Sequence, residues 1–171
     1  MTEPTAATTI LLQTNLGTIT LELDAEKAPE TVANFVQYVK DGHYDGLAFH
    51  RVIKGFMIQG GGYEASDFSN QRSTRAPIKN ECHNGLKNAR GTIAMARTND
   101  PHSATSQFFI NHADNAFLDG RGGQWGYAVF GRVTAGLDIV DTIAALPTGA
   151  ARPFGQDVPT TPVTIEKASV A

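Results

Sequence analysis

This chain has a single cysteine, no long apolar run and no large excess of one charge. Each of these features argues against a class of function. Cys82 is the only cysteine of the 171 residues, so no internal disulfide can form and nothing points to an oxidising compartment. The 14 basic and 17 acidic residues give a net charge of −3, which offers no general electrostatic reason to bind nucleic acid or an anionic membrane. No apolar run approaches the roughly 20 residues that span a bilayer.

Signals for export and for metal binding are scarce as well. Residues 1–9 contain Glu3 and Pro4 and lack a basic segment, which is not the pattern of a signal peptide, so we expect a cytoplasmic protein. The five histidines are scattered without the spacing of metal ligands, and no metal site is expected. The length suits one domain; we predict a flexible tail over 1–7 and a single domain over 8–171.

Three short patterns suggest other chemistry but lack the context it needs. Residues 60–65 fit the glycine-rich motif of dinucleotide-binding proteins, yet no helical apolar period follows, so a pyrophosphate would find no helix N-terminus. Cys82 and His83 are adjacent, and adjacent side chains of an extended chain point apart, which favours a loop cysteine over a nucleophile pair. Asp100, His102 and Ser103 share one short loop that cannot orient a base, a nucleophile and oxyanion donors together.

Apolar periodicity predicts strands at the start of the chain and two helices. Alternation over residues 8–15 and 18–23 predicts a β-hairpin. A helix is expected to begin at Pro29 and end at Gly42, and a second helix should cover 136–146. Between them lie short strands and long glycine-containing loops, which indicates a mainly β antiparallel barrel with helices capping its ends.

The segment 49–61, FHRVIKGFMIQGG, is the most informative part of the sequence. It places Arg51 and Gln59 among large apolar residues at strand spacing, with a bend expected at Gly55. A guanidinium stays charged at physiological pH and offers donors in a rigid fork, so it suits recognition or charge stabilisation rather than proton transfer. From this window alone, Arg51 could also be a surface arginine on an edge strand.

A second window carries two short apolar strands, 91–97 and 106–111, joined by a polar loop, and the second strand contains SQFFI. The two windows together resemble the cyclophilin family of peptidyl-prolyl isomerases over about residues 10–165. Segments 94–98, 101–105 and 123–127 are most similar to the cytosolic bacterial branch. The resemblance implies a closed antiparallel barrel of about eight strands with a helix over each open end, and catalysis without a cofactor.

The resemblance also implies a set of site residues. Arg51 matches the catalytic arginine, and Gln59 matches the glutamine that hydrogen-bonds this arginine and the substrate backbone. The substrate-binding positions are then His50, Phe56, Met57, Ala96, Arg97, Gln107, Phe109, Phe117, Leu118 and Tyr127. Four of these match the walls of the proline pocket: Phe56, Met57, Phe109 and Leu118. Without the resemblance, those four would be read as ordinary barrel core.

Two positions depart from the best-known cyclophilins. Phe117 stands where many members carry tryptophan and lacks the indole N–H that contacts cyclosporin, so only weak cyclosporin binding is expected. Tyr127 stands where many carry histidine. The expected partners are proline-containing peptides and unfolded or partly folded proteins, bound by a monomer, with chaperone activity as a possible accompaniment. Two other classes stay open: a proline-segment binding module on the same barrel, and a nucleotide-dependent oxidoreductase, which would retain cofactor on purification.

Overall fold

The secondary structure of residues 8–171, which a computed structural model describes, comprises twelve strands, two α-helices and one 3₁₀ turn. The strands are β1 (Thr8–Thr14), β2 (Gly17–Leu23), β3 (Arg51–Ile53), β4 (Met57–Gly60), β5 (Tyr63–Glu64), β6 (Asp67–Gln71), β7 (Thr92–Met95), β8 (Phe108–Asn111), β9 (Val129–Ala135), β10 (Thr148–Ala151), β11 (Phe154–Pro159) and β12 (Ile165–Val170). The helices are α1 (Pro29–Lys40) and α2 (Leu137–Ala144), and the 3₁₀ turn is Ala116–Leu118. The predicted tail, 1–7, lies outside the described residues.

Eight of the strands form one curled antiparallel sheet, in the order β12-β1-β2-β9-β7-β8-β4-β3. The expected mainly β architecture is confirmed, but "closed barrel" overstates it, because the edge strands β3 and β12 are not joined by a ladder. A single bridge between Ala48 and Thr164, next to a hydrogen bond of 3.0 Å from the Phe49 N–H to the Val163 carbonyl, spans the gap. The sheet is therefore a half-barrel whose edge strand β3 begins at Arg51.

The predicted hairpin forms strands β1 and β2, with Leu12 opposite Ile19 and Ile10 opposite Leu21. These apolar side chains are fully buried, whereas alternate residues face outward, as period-2 alternation requires. The predicted helices also form, within two residues of the expected ends. Helix α1 packs Phe35 against the rings of Phe108 and Phe130 on the sheet. In the described part of the chain, no helix is long and apolar enough to cross a membrane.

Two apolar clusters lie on opposite faces of the sheet. The larger one, the main core, fills the inside of the curl and includes Phe35, Phe108 and Phe130. The smaller one, the site cluster, is built from the alternate residues of the same strands, because successive side chains point to opposite faces, and from Leu118 of the 3₁₀ turn. Its buried members are Met57, Ala94, Phe109, Leu118 and Val129. The sheet thus has a second apolar face of its own, away from the main core.

Candidate active site

The hairpin β3–β4 places Arg51 directly opposite Gln59. The sequence predicted one extended chain bent at Gly55, but the chain reverses there. A hydrogen bond of 3.0 Å from the Phe56 N–H to the Ile53 carbonyl closes a four-residue turn, and Gly55 has a φ of +78°, which a side chain would disfavour. Cross-strand pairing places Arg51 and Gln59 on the same face of the sheet. The two residues are therefore neighbours, as predicted, although on two paired strands and not along one.

A chain of side-chain hydrogen bonds orients the carboxamide of Gln59. Its Oε1 accepts from Nη1 of Arg51 at 3.5 Å, and its Nε2 donates to Oε1 of Gln107 at 3.0 Å. The first bond is long, so the guanidinium is guided but retains free donors. Arg51 is exposed and takes part in none of the ion pairs found among residues 8–171. A cation without a carboxylate partner is available to a ligand.

A hollow of about 120 Å³ opens beside the Arg51 guanidinium. Its lining joins one cation and one carboxamide to an apolar floor. The lining residues are Arg51, Met57, Gln59, Ala96, Arg97, Phe109, Leu118 and Tyr127, and all of them are site residues that the sequence indicated. We call this hollow the proline hollow from here on, after the proline ring that the resemblance to cyclophilins predicts for it.

The floor of the proline hollow is rigid because its side chains are buried in the site cluster. Phe109 pairs across the sheet with Gln59 on one side and Ala94 on the other. Tyr127 packs edge-on against the Phe109 ring, with the ring centroids 5.6 Å apart. An apolar wall fixed in this way costs little conformational entropy when a ligand arrives.

Arg97 lines the hollow without presenting a free charge to it. Its guanidinium lies 4.6 Å from the centre of the Tyr127 ring, and its Nε donates to the carbonyl of Gly126 at 3.1 Å. Nη1 donates to the Thr98 carbonyl at 2.8 Å and Nη2 to the Trp125 carbonyl at 3.2 Å. Arg97 therefore braces the rim of the hollow, whereas the guanidinium of Arg51 makes one side-chain hydrogen bond, the long one to Gln59.

Gln107, Phe56 and Phe117 lie next to the proline hollow rather than in its lining. Gln107 lines an adjoining hollow of about 210 Å³, which shares Gln59, Ala96 and Arg97 with the first. Phe56 packs against the site cluster. The ring of Phe117 stacks on the ring of Phe56, with the centroids 5.7 Å apart and the planes inclined by 24°. Phe117 is 73% exposed, so it forms a rim, not a wall.

His50, which the resemblance placed among the substrate contacts, does not line the proline hollow but lines a separate hollow of about 310 Å³ that also borders Arg51. Its ring is buried between Tyr63 and Phe154, at centroid distances of 4.7 and 5.1 Å, and Nδ1 has no hydrogen-bond partner in the described structure. Burial, with a smaller contribution from the Arg51 charge, lowers the pKa of His50 from 6.5 to about 4. The imidazole is therefore neutral near pH 7. Hairpin β10–β11, which covers it, was not predicted, since nothing near His50 in sequence marks a partner so distant along the chain.

Sequence reasoning also missed a buried row of asparagines behind the β3–β4 turn. Asn111 donates to Oδ1 of Asn88 at 3.1 Å, and Asn115 donates to Oδ1 of Asn111 at 2.8 Å. Asn115 also donates to the carbonyl of Phe56 at 2.8 Å, which ties the row to the β3–β4 turn. The available signal was Asn111 itself, a carboxamide ending the apolar run of SQFFI, because buried amides require partners.

The three short patterns that suggested other chemistry form ordinary local structure. Residues 60–65 lead into the small hairpin β5–β6 instead of a helix. Ser103 Oγ donates to the backbone carbonyl of Asp100, and Nδ1 of His102 accepts from the Asn80 N–H, so these side chains bind backbone groups and not one another. Cys82 is buried in a turn, where its Sγ accepts from the Gly126 N–H at 3.3 Å. No group of three or more potential metal ligands converges within residues 8–171.

Comparison with known proteins places this chain in a family. The family model described as cyclophilin type peptidyl-prolyl cis-trans isomerase/CLD matches residues 9–170. Peptidyl-prolyl cis-trans isomerase cyp18 of Streptomyces antibioticus is 58% identical over 165 residues, which are 95% of this chain and 98% of that protein. Peptidyl-prolyl cis-trans isomerase B of Escherichia coli strain K12 is 52% identical over 165 residues, 95% of this chain and 99% of that protein.

Solved structures agree with the sequence relatives. A Cryptosporidium parvum cyclophilin type peptidyl-prolyl cis-trans isomerase, crystallised in the presence of the dipeptide Ala-Pro, has a TM-score of 0.76 and 25% identity. The match covers 95% of this chain and 98% of that one. These matches show that the chain, with its curled sheet and a hollow lined by Arg51 and Gln59, belongs to the cyclophilin-type peptidyl-prolyl cis-trans isomerases.

Proposed function

We propose that Arg51 accelerates rotation about X-Pro peptide bonds by donating a hydrogen bond to the imide nitrogen while the proline ring occupies the proline hollow. The observation that carries this proposal is the placement of an exposed guanidinium, free of ion pairs in the described chain, at the mouth of an apolar hollow of about 120 Å³. Pure binding of an apolar ring would not require a cation there.

The chemistry needs no more than such a donor. The peptide bond resists rotation by about 18–20 kcal/mol because the nitrogen lone pair is delocalised into the carbonyl. Twisting the bond returns that pair to nitrogen, so a donor aimed at nitrogen stabilises the twisted state more than either planar state. An acceleration on the order of 10⁵ requires about 7 kcal/mol, which a charged donor and a held peptide can supply together.

Each member of the site has a role in this proposal. Met57, Phe109 and Leu118 hold the ring by apolar contact, which fixes the position of its nitrogen relative to Arg51. Gln59, oriented by Gln107, directs the guanidinium and offers its carboxamide to the substrate backbone. The end of strand β7 near Ala96 supplies backbone groups to the peptide. No proton is transferred, so the neutral state of His50 is no obstacle.

The substrates we propose are proline-containing peptides and unfolded or partly folded proteins, bound by a monomer in the cytoplasm. The Ala-Pro dipeptide named with the Cryptosporidium parvum relative supports this substrate class. A single cysteine, buried in a turn, suits a reducing compartment. We also propose weak cyclosporin binding and, as a consequence of holding unfolded chains, a modest chaperone effect.

Replacement of Arg51 tests the mechanism. Because the guanidinium acts on the twisted state, Arg51→Ala should lower kcat/KM by about 10²–10³-fold in a protease-coupled proline-peptide assay. Arg51→Lys should also be poor, because an ammonium lacks the fork that can hold Gln59 and the imide nitrogen together.

Arg132→Ala is the matched control. Arg132 is another exposed arginine on a strand of the same sheet, paired with Glu22 at 3.3 Å and outside the proline hollow. It should leave kcat/KM unchanged. A folded Arg51→Ala protein with near-normal turnover would refute the mechanism. Loss of turnover with retained peptide affinity would show that Arg51 serves isomerisation, and that the protein is not only a proline-binding module.

A further inference from the structure

We propose that His112 is a positioning residue for the proline hollow: its Nδ1 accepts a hydrogen bond from the Gly55 N–H and so fixes the turn that carries Phe56. This inference rests on the proposed function, since Phe56 matters to it as a neighbour of the bound proline. His112 lies beyond the end of β8, outside the lining of the hollow, and it matches no position for which the resemblance implied a role.

The turn leaves the Gly55 N–H without a partner inside it. Its closing hydrogen bond, 3.0 Å long, joins the Phe56 N–H to the Ile53 carbonyl, and Gly55 occupies the third position with a φ of +78°. A turn of this geometry uses only the N–H of its fourth residue, so the Gly55 N–H points away from it. The His112 Nδ1 lies 2.8 Å from that nitrogen.

The surroundings of His112 select the tautomer that can accept this bond. Nε2 lies 2.9 Å from Oδ1 of Asp141, on helix α2. The other oxygen of Asp141 accepts from Arg90 at 2.9 Å, and this hydrogen bond, aided by the Arg90 charge, lowers the pKa of Asp141. An ionised carboxylate accepts only, so Nε2 must carry the hydrogen, and Nδ1 keeps its lone pair for Gly55.

The same residue holds the other side of the turn through its backbone. The His112 N–H donates to the Phe56 carbonyl at 2.9 Å, and Asn115 donates to that oxygen at 2.8 Å. The two ends of the Gly55-Phe56 dipeptide are thus tied to one short segment. Loss of the Nδ1 bond would loosen the turn at Gly55 without freeing it at Phe56, so the effect on the site should be partial.

Two substitutions separate the two ring nitrogens. In His112→Asn, Oδ1 takes the place of Nδ1 and can accept from Gly55, but nothing reaches Asp141. In His112→Gln, the longer amide reaches the place of Nε2 and can donate to Asp141, but no acceptor faces Gly55. Both variants are neutral and polar at a largely buried side chain, so each serves as the control for the other.

The experiment measures amide hydrogen exchange at Gly55 by NMR, thermal unfolding, and kcat/KM with a proline peptide. Wild type and His112→Asn should protect the Gly55 amide and share a similar kcat/KM. His112→Gln should lose that protection and lower kcat/KM by about three- to tenfold, the range of one net hydrogen bond. The loss should lie mainly in KM, because Phe56 packs against the side chains that line the proline hollow and does not act on the twisted bond.

Equal results for the two variants, in exchange or in kcat/KM, would overturn the proposal, because a merely structural histidine would not distinguish its nitrogens. Loss of Gly55 protection without a change in kcat/KM would overturn the positioning role as well. If the wild type showed no isomerase activity, the proposed function would fail, yet Gly55 exchange and proline-peptide affinity in the two variants would still decide the role of His112.

Discussion

Two hairpins of this fold differ in the way they are supported, and the difference explains where the site lies. Hairpin β1–β2 has two seven-residue strands, each paired on its outer side as well, with β12 and β9. Hairpin β3–β4 has strands of three and four residues, and β3 ends the sheet. The first is interior to the sheet, whereas the second offers an edge.

The edge allows Arg51 to be both fixed and exposed. Its backbone is held by pairing with Gln59, while its side chain has no neighbouring strand to cover it. In the first hairpin the inward residues are fully buried in the main core. Stability should therefore depend most on β1–β2, and catalysis on β3–β4.

The largest effect that tests this division is expected in the first hairpin. Leu21→Ala removes a fully buried side chain from the main core and should lower the free energy of unfolding by about 2–5 kcal/mol, measured by urea denaturation. The kcat/KM of the protein that remains folded should change less than about twofold, because the cavity forms far from Arg51. A loss of kcat/KM as large as that of Arg51→Ala would break the division between the hairpins.

The next largest effect is the loss of stability at acidic pH that results from the buried His50. The pKa of His50 is about 4 in the folded protein and 6.5 when exposed, so the unfolded chain binds the proton first as pH falls. Its contribution to stability is thus complete above pH 6.5 and is lost towards pH 4. Between pH 7 and 4.5 the wild type should lose about 2–3 kcal/mol more than His50→Gln in denaturant titrations.

Activity should not follow this stability change above pH 6. His50 stays neutral and the reaction transfers no proton, so kcat/KM should be nearly flat from about pH 6 to 9. A bell-shaped dependence of kcat/KM on pH that disappears in His50→Gln would mean that His50 takes part in the reaction. The role of hairpin β3–β4 would then not be limited to positioning Arg51.

The smallest effect is expected at the rim of the second hairpin. Phe117 is 73% exposed and stacks on Phe56, outside the proline hollow. Phe117→Trp adds an indole donor and contact area, so cyclosporin should inhibit about tenfold more strongly while kcat/KM changes little. Titration of both proteins in one isomerase assay would measure this. Unchanged inhibition would show that residue 117 does not take the place of the family tryptophan.

The sequence predicted local order well and distant partners poorly. Alternation fixed β1 and β2, and Pro29 marked the first helical residue, because these signals act within a few residues. Arg51 and Gln59 were expected on one face, and cross-strand register places them there, although by a reversal at Gly55 that alternation alone could not show.

Contacts between segments far apart in the chain had no local signal. The burial of His50 under Phe154 depends on a hairpin that alternation does not mark. The bond from Gly55 to His112 joins a turn to the segment after β8, and neither residue is unusual in its own window. Exposure was equally hidden: nothing in the sequence around Phe117 showed that its ring would be 73% exposed and would form a rim.

The most direct test of the central claim is the rate of cis–trans exchange of a proline peptide on the protein, measured by NMR exchange spectroscopy at a saturating concentration of wild type and of Arg51→Ala. Because the apolar hollow is left intact, the variant should still bind the peptide, with an affinity within about fivefold. Exchange on the variant should be about 10²–10³-fold slower. Exchange at the wild-type rate by a folded, peptide-bound Arg51→Ala protein would contradict the account.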